Sequence, residues 1–340
     1  MIGPAHPCFT IAEAGVNHNG SLDMALQLVD VAVRAGADAV KFQTFTAERV
    51  VTRDAPKAVY QKETTGGDES QLAMLKKLEL SAAAHRELWA YCGKRGILFL
   101  SSPFDEKSAD FLEDLGIAAF KIPSGEITNL PFLEHVARKR KPMIVSTGMA
   151  SLDEVRSAVE TIRKSRNEDV ILLHCVSAYP ASAADANLRA MKTIATAFDV
   201  SVGYSDHTLG IEVALAAVAL DAHVIEKHFT LNRNLPGPDH RASLEPDELR
   251  NLVSGIRTVE AALGHGRKEP APCEADIAAV SRKSIVTACD IPAGTTVTRD
   301  LVVMKSPGTG LPPSMLGQIL GRVAARDIPE DTVITNDMLR

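Results

Sequence analysis

Apolar runs alternate with amphipathic stretches along most of the chain, and this alternation predicts repeated strand and helix units. The clearest unit lies in residues 9–45, where an apolar run ends at Glu13 and the turn GVNHNGS follows. Leucine, valine and alanine then recur at helical spacing until Gly36, a residue suited to ending a helix. The next apolar run carries Lys41 and Gln43 near its end. The pattern predicts a strand, a loop, a helix and a second strand, with polar residues at both strand ends.

The same alternation continues to about Gly264 and gives eight predicted strands, each followed by a helix. That pattern is typical of a (β/α)8 barrel of about 250 residues, and a doubly wound open sheet fits it less well. Seven of the eight strands end in polar residues, as expected where strand ends line an active site. Residues 46–80 form a long polar insertion, which we interpret as a functional lid or arm that contributes nothing to the core.

The pattern changes after the barrel. Residues 265–281 are rich in Gly, Pro and charged residues, and residues 282–340 consist of short β-branched runs broken by turns. We therefore predict a catalytic barrel at residues 1–264, a linker at 265–281 and a small β-rich domain at 282–340. A domain of this size has a marginal core, so we expect it to pack on another surface.

Composition narrows the classes of function. The chain has 340 residues and a formal net charge of −6, which argues against binding to nucleic acid. Its five cysteines form no CxxC pair, so neither a disulfide framework nor a zinc finger is indicated. The N-terminus lacks a signal-peptide pattern, and no apolar run approaches membrane-spanning length. We expect a cytoplasmic protein that binds neither nucleic acid nor membrane.

Two lysines indicate an anion site. Lys41 and Lys121 lie between apolar residues on predicted strands 2 and 4, and a lysine inside a barrel needs an anionic partner. Four serines at strand ends could add hydroxyl donors: Ser102, Ser124, Ser146 and Ser205. Together they predict a cradle for a ligand that carries phosphate and carboxylate. Schiff-base chemistry at either lysine is the less favoured alternative.

Two histidines indicate a metal site. His207 and His228 close two adjacent predicted strands, so their imidazoles could meet on one ion with positions left open for water and substrate. The alternative is a pair of hydrogen-bonded histidines at the barrel rim. Glu13 and Gln43 at the same rim favour the metal hypothesis.

Carboxylates near these groups are candidates for proton transfer. Glu13 and Glu126 could give or take a proton beside a desolvated site, or could simply offset the charge of the lysines. Glu226, which lies mid-strand beside Lys227, could equally be structural or take part in proton transfer. Tyr179 falls in a loop after a strand, where a phenol can hydrogen-bond to a sugar.

Several long motifs resemble one family. AEAGVNHNGS, VKFQTF, FKIPSGEITNLP, GYSDHTLG, VIEKHFT and PGPDHRASLEP are similar to segments of the sialic acid synthases, which condense phosphoenolpyruvate with an N-acetylmannosamine-type sugar. The resemblance extends from about Phe9 to the end of the chain, where the last domain resembles the antifreeze-like (SAF) domain of these enzymes.

The resemblance implies roles for particular residues. It implies a divalent metal, typically Mn²⁺ with Mg²⁺ or Co²⁺ as alternatives, held by His207 and His228. It implies phosphoenolpyruvate binding by Lys41, Ser102, Lys121, Ser124, Ser146, Ser177 and Ser205. It places Glu13, Gln43, Tyr179 and Asp239 near the sugar or the attacking water, and assigns proton handling to Glu126. It also implies release of phosphate by C–O cleavage and a domain-swapped homodimer.

Two features leave the substrate open. Family members often have Lys-Arg-Pro-Gly in the last domain, whereas this chain has Lys305-Ser306-Pro307-Gly308 and lacks that arginine. The acceptor could be N-acetylmannosamine or the 2,4-diacetamido-2,4,6-trideoxymannose of legionaminic acid synthesis. Three other functions stay open. The first is a barrel synthase for a phosphorylated sugar, which would need further arginines. The others are a metal-dependent aldolase or isomerase and a non-catalytic sugar-binding protein.

Overall fold

Eight parallel strands surround the interior of the first of two structural units. The structure is a computed structural model that describes residues 2–4 and 6–340, and the chain divides into units at Gly264 and His265. The strands are β1 (Phe9–Gly15), β2 (Ala39–Thr44), β3 (Leu98–Pro103), β4 (Phe120–Ile122), β5 (Met143–Ser146), β6 (Val170–Cys175), β7 (Ser201–Asp206) and β8 (Val224–His228). Their order in the sheet is β3-β2-β1-β8-β7-β6-β5-β4, and β3 also lies beside β4. The prediction of a (β/α)8 barrel is confirmed.

A helix follows each strand and covers the outside of the barrel. These helices are α1 (Leu22–Ala35), α5 (Ala82–Arg95), α6 (Glu106–Leu115), α7 (Leu130–Ala137), α8 (Leu152–Lys164), α9 (Ala190–Phe198), α10 (Glu212–Ala219) and α11 (Pro246–Leu263). Helix α1 shows how the sequence sets the boundaries. Its first turn is capped by Ser21, whose hydroxyl accepts from Met24 N, and it ends where Gly36 adopts a φ of 79°.

Residues inside the barrel form layers, because every second side chain of a strand points inward. The lowest layer is an apolar cluster that includes Ile11, Ala39, Leu100, Ile144, Leu173 and Val224. Two residues further along the same strands come Glu13, Lys41, Ser102, Ser146, Cys175 and Glu226. An apolar layer of side chains thus lies directly next to a polar layer at the carboxyl ends of the strands.

The insertion between β2 and α5 folds into three short helices: α2 (Ala47–Val50), α3 (Val59–Thr65) and α4 (Gln71–Leu78). The prediction that it contributes nothing to the core was wrong, because Met74 and Leu78 are buried against Val16 and Phe45. Helix α4 contains charged as well as apolar residues, and its apolar residues at positions 74, 75 and 78 share one face, on which Met74 and Leu78 are buried. We call residues 46–80 the arm.

The second unit has its own small core. It contains helix α12 (Ala275–Ser281), the antiparallel strands β9 (Ser284–Thr287) and β10 (Val302–Lys305), and helix α13 (Leu316–Ile319). The core includes Ile285, Val297, Val302 and Ile334. Isolated antiparallel bridges such as Thr296 with Val323 connect the remaining loops. The expected β-rich domain is present, with more irregular chain than regular strand.

No helix in the part of the chain that the structure describes combines the length and apolarity needed to cross a bilayer.

Candidate active site

A cavity of about 300 Å³ opens at the carboxyl ends of the barrel strands. All but one of the site residues predicted from sequence line it: Glu13, Lys41, Gln43, Ser102, Lys121, Ser124, Ser146, Ser177, Tyr179, Ser205, His207, His228 and Asp239. The exception is Glu126, which is half-buried in a short turn after β4 and accepts a hydrogen bond from Asn129. The predicted proton-handling role of Glu126 therefore has no support in the geometry.

One end of the cavity contains buried lysines and glutamates. Lys41 Nζ lies 2.6 Å from a Glu13 carboxylate oxygen and donates to Ser102 Oγ at 3.1 Å. Lys121 Nζ lies 3.2 Å from Glu226 Oε1, which also accepts from Ser205 Oγ at 3.0 Å. We call Lys41, Lys121, Glu13 and Glu226 the charged cluster. All four side chains are almost fully buried, so their charges interact without much screening by water.

The charged cluster favours binding of an anion. Burial raises the pKa of Glu13, although Lys41 opposes the shift. Burial acts on Glu226 in the same direction, but Lys121 and Lys41 outweigh it and lower its pKa. Burial lowers the pKa of Lys121, with Glu226 partly compensating. Protonation of Glu13, which its raised pKa favours, would leave two lysines facing one carboxylate and give the cluster a net positive charge.

Several buried atoms near the cluster lack hydrogen-bond partners within the described residues. They are Ser146 Oγ, Glu226 Oε2 and His228 Nδ1. Within the described residues, Lys121 makes no hydrogen bond other than its ion pair with Glu226 at 3.2 Å. Unsatisfied buried polar atoms are costly, and their concentration at one cavity is typical of a ligand site.

The other end of the cavity contains the two histidines, whose ring centroids are 5.5 Å apart. His207 Nδ1 lies 2.7 Å from Val176 O, so Nδ1 carries the proton and Nε2 keeps its lone pair free. Burial lowers the pKa of both imidazoles, and the charge of His207 lowers the pKa of His228 further. Neutral imidazoles with free lone pairs are the form that binds a metal.

These residues fit a divalent ion held by few protein ligands. No group of three or more His, Cys, Asp and Glu side chains within residues 2–4 and 6–340 is arranged to hold an ion alone. Two imidazoles would leave most coordination positions to water and substrate, as in catalytic rather than structural metal sites.

Gly15 leaves room for the side chains of Glu13, Gln43 and His228 to lie close to one another. Its φ of 52° is unfavourable for other residues, and a Cβ atom there would lie 3.2 Å from Glu13 Oε1 and 3.5 Å from both Gln43 Nε2 and His228 Cε1. A side chain at position 15 would crowd the Glu13 carboxylate, the tightest of these contacts. The glycine therefore lets Glu13, a member of the charged cluster, lie close to His228.

Sequence reasoning missed part of the site. Glu226 was left open between a structural and a functional role, but it lines the cavity close to both lysines. The alternation of β8 contained the signal, since Glu226 is two residues before His228 and must share its inward face. The arm also contributes to the lining through Tyr60, Gln61 and Gln71. Its polar composition gave no indication of which residues would face inward.

Comparison with known proteins identifies the family. The NeuB family profile matches residues 28–268, and the SAF domain profile matches residues 282–340. The chain belongs to the NeuB family. The resemblance to the sialic acid synthases, with their small C-terminal SAF domain, is thereby confirmed, as is the expectation that the protein is an enzyme of this class.

Relatives of the chain are acid synthases. It is 48% identical to the N,N'-diacetyllegionaminic acid synthase of Legionella pneumophila over 98% of this chain and 94% of that protein. It is also 48% identical to the enzyme of that name from Campylobacter jejuni, over 95% and 98% of the two chains. Among solved structures, it resembles the N-acetylneuraminic acid synthetase of Leptospira borgpetersenii in complex with citrate. That match has 38% identity and a TM-score of 0.72, and covers 81% of this chain and 92% of the other.

Proposed function

We propose that this NeuB-family enzyme condenses phosphoenolpyruvate with the open-chain aldehyde of an N-acetylated amino sugar, giving a nonulosonic acid and phosphate. The observation that carries the proposal is that a buried pair of lysines and a pair of neutral histidines line one cavity. The relatives named N,N'-diacetyllegionaminic acid synthase favour 2,4-diacetamido-2,4,6-trideoxymannose as the acceptor. N-acetylmannosamine is the alternative acceptor.

The charged cluster would bind and orient phosphoenolpyruvate. Lys41 and Lys121 would pair with its phosphate and carboxylate, while Ser124, Ser146 and Ser177 would donate hydroxyl hydrogen bonds. Holding the anion at this end directs its methylene carbon toward the histidine end of the cavity. Such positioning of two reactants is a large part of the rate gain in a bimolecular reaction.

The histidine end would hold the aldehyde. A divalent ion bound by His207 and His228 would polarise the carbonyl oxygen as a Lewis acid. Glu13 belongs to the charged cluster and neighbours His228, and its raised pKa suits it to give a proton to the sugar oxygen and to take one from the water that adds at C2. Tyr179 and Asp239 would hydrogen-bond to the sugar hydroxyls.

The proposal is tested by incubating the metal-loaded protein with phosphoenolpyruvate and each of the two sugars, then measuring phosphate release and product mass. We expect equal amounts of phosphate and nonulosonic acid, with faster turnover of the diacetamido sugar. Turnover of pyruvate in place of phosphoenolpyruvate would indicate an aldolase instead. Sugar binding in calorimetry without turnover would indicate a binding protein.

We also propose the homodimer implied by the family, in which the small domain of one subunit serves the barrel of the other. Chains ending after Ser281 should have little activity. Mixed with full-length Glu13→Gln subunits, they should recover some turnover, because each supplies what the other lacks. No recovery in well-formed mixed dimers would contradict the exchange.

A further inference from the structure

A buried lysine outside the cavity holds the arm in shape. Lys57 is only 5% exposed, and its Nζ lies 2.9 Å from Thr65 Oγ1, 2.9 Å from Gly66 O and 3.2 Å from Glu69 Oε1. These three acceptors match the three donors of an ammonium group. Since burying an unpaired charge is costly, the arrangement specifies one conformation of residues 57–69. Lys57 ties the residues before α3 to the loop that follows it.

An aromatic stack connects this fixed segment to the metal-site histidines. Tyr60, three residues after Lys57, has its ring centroid 5.2 Å from that of Tyr179. The Tyr179 ring in turn lies 4.3 Å from His207 and 5.7 Å from His228. These separations are typical of favourable aromatic pairs. The position of the Tyr60 ring is therefore set from two sides, by the arm and by Tyr179.

The hydroxyl end of Tyr60 belongs to a wall of the cavity to which the arm contributes only uncharged side chains. Gln61 Nε2 lies 3.4 Å from the Tyr60 hydroxyl, and Gln61 Oε1 accepts from Ala58 N at 3.0 Å. Gln71 and the apolar Met74 and Leu75 line the same side. Among the described residues that line the cavity, the arm supplies no cation. The wall thus suits amide and methyl groups better than a phosphate.

We propose that Tyr60 determines acceptor specificity by packing against the end of the sugar remote from its aldehyde, and that Lys57 is a positioning residue for Tyr60. The inference rests on the proposed function, which places phosphoenolpyruvate at the lysines and the aldehyde at the histidines. The remaining part of an open-chain sugar then lies along the arm. A 6-deoxy sugar with a second acetamido group presents there the apolar and amide surface that the wall complements.

The test compares two acceptors, N-acetylmannosamine and 2,4-diacetamido-2,4,6-trideoxymannose, with phosphoenolpyruvate fixed and then varied. Tyr60→Ala should lower kcat/KM for the diacetamido sugar by about tenfold, the upper range for loss of an aromatic contact. The loss for N-acetylmannosamine should be smaller, and KM for phosphoenolpyruvate should stay within about twofold because the lysine end is untouched. Tyr60→Phe, which keeps the ring, should restore the wild-type preference.

Variants of the neighbouring positions complete the test. Lys57→Met should give the same change in acceptor preference as Tyr60→Ala, and Lys57→Arg should restore part of it. The matched control is Val59→Ala, because Val59 is in the same helix and 73% exposed. Equal losses for both sugars, or a rise confined to KM for phosphoenolpyruvate, would overturn the inference while leaving the proposed function intact. Wild-type protein that turns over neither sugar would overturn both.

Discussion

Two buried lysines at the same end of the barrel differ in how fully neighbouring residues satisfy their hydrogen-bond donors. Lys227 points outward from β8, and its Nζ lies 2.7 Å from Asp206 Oδ2 and 2.5 Å from Thr208 O. Asp206 Oδ1 accepts two further hydrogen bonds from Thr208. Lys121 points inward and meets only Glu226, at 3.2 Å, among the described residues. The outward pair satisfies itself, whereas the inward lysine retains donors for a ligand.

The difference shows why burial of a charge does not by itself identify a site. Glu226 and Lys227 are neighbours in sequence and equally buried, but the strand sends them to opposite faces. A network in which the buried groups satisfy one another, such as Lys227 with Asp206, stabilises the structure, and we call it closed. A network that leaves donors or acceptors unused beside a cavity can bind a ligand, and we call it open.

Loss of the histidine site should have the largest effect on activity. The two histidines also belong to an open network. Among the described residues, His207 keeps a free lone pair on Nε2, and His228 Nδ1 has no hydrogen-bond partner. Removal of metal by a chelator, or His207→Ala, should lower kcat by about a thousandfold, as expected when Lewis-acid activation is lost. Mn²⁺ should restore the chelated wild type but not the variant. Thermal unfolding should change little, and full activity in a metal-free sample would refute the assignment.

Breaking the closed network should instead reduce stability. Lys227→Met leaves the Asp206 carboxylate buried without its cation, so we expect a loss of about 3–5 kcal/mol in the free energy of unfolding. Chemical denaturation measures this loss. Asp206→Asn combined with Lys227→Met should be less damaging than Lys227→Met alone. A Lys227→Met protein as stable as the wild type would show that the network is not structural.

In the small domain, the Ser306 hydroxyl already has hydrogen-bond partners within its own domain. Ser306 Oγ accepts from Lys283 Nζ at 3.0 Å and lies 3.2 Å from Ser281 O. Ser306→Arg restores the guanidinium common in the family, and should lower KM for an acetamido sugar by up to about tenfold, the value of one charge-assisted hydrogen bond. Steady-state kinetics with varied sugar measures it. An unchanged KM would mean that position 306 does not face the sugar.

A modest pH effect is expected at Asp239. Burial raises the pKa of its carboxyl group to about 6. Above that pH the charged carboxylate accepts hydrogen bonds from the sugar, and below it the group is protonated and accepts them less well. KM for the sugar should therefore rise by about threefold to tenfold as pH falls through 6. In Asp239→Asn, KM should be higher at neutral pH, and this dependence should disappear.

The fold was predictable from sequence because its signals are local and repeated. Alternating strands and helices identified the barrel, and strand ends identified Lys41, Lys121, His207 and His228 as members of one mouth. Glu226 could have been included by the same period-two rule. These successes depend on regular geometry, in which spacing along the chain determines position in space.

The arm was less predictable because its contacts are made over long distances in sequence. Met74 packs on Val16 and Tyr60 stacks on Tyr179, and neither pairing follows from local periodicity. Lys57 resembles a surface lysine in sequence, and only the fold shows that it is buried. Tertiary contacts of this kind override composition, so the polar character of the segment was misleading.

Kinetics and unfolding measured on the same Lys121→Met protein show whether Lys121 belongs to an open binding network. The variant keeps the apolar stem and removes the charge. We predict that KM for phosphoenolpyruvate rises by about tenfold to a hundredfold, the value of hydrogen bonds to a charged group, while KM for the sugar and the Tm change little. A fall in Tm comparable to that of Lys227→Met, or a change confined to KM for the sugar, would contradict the claim.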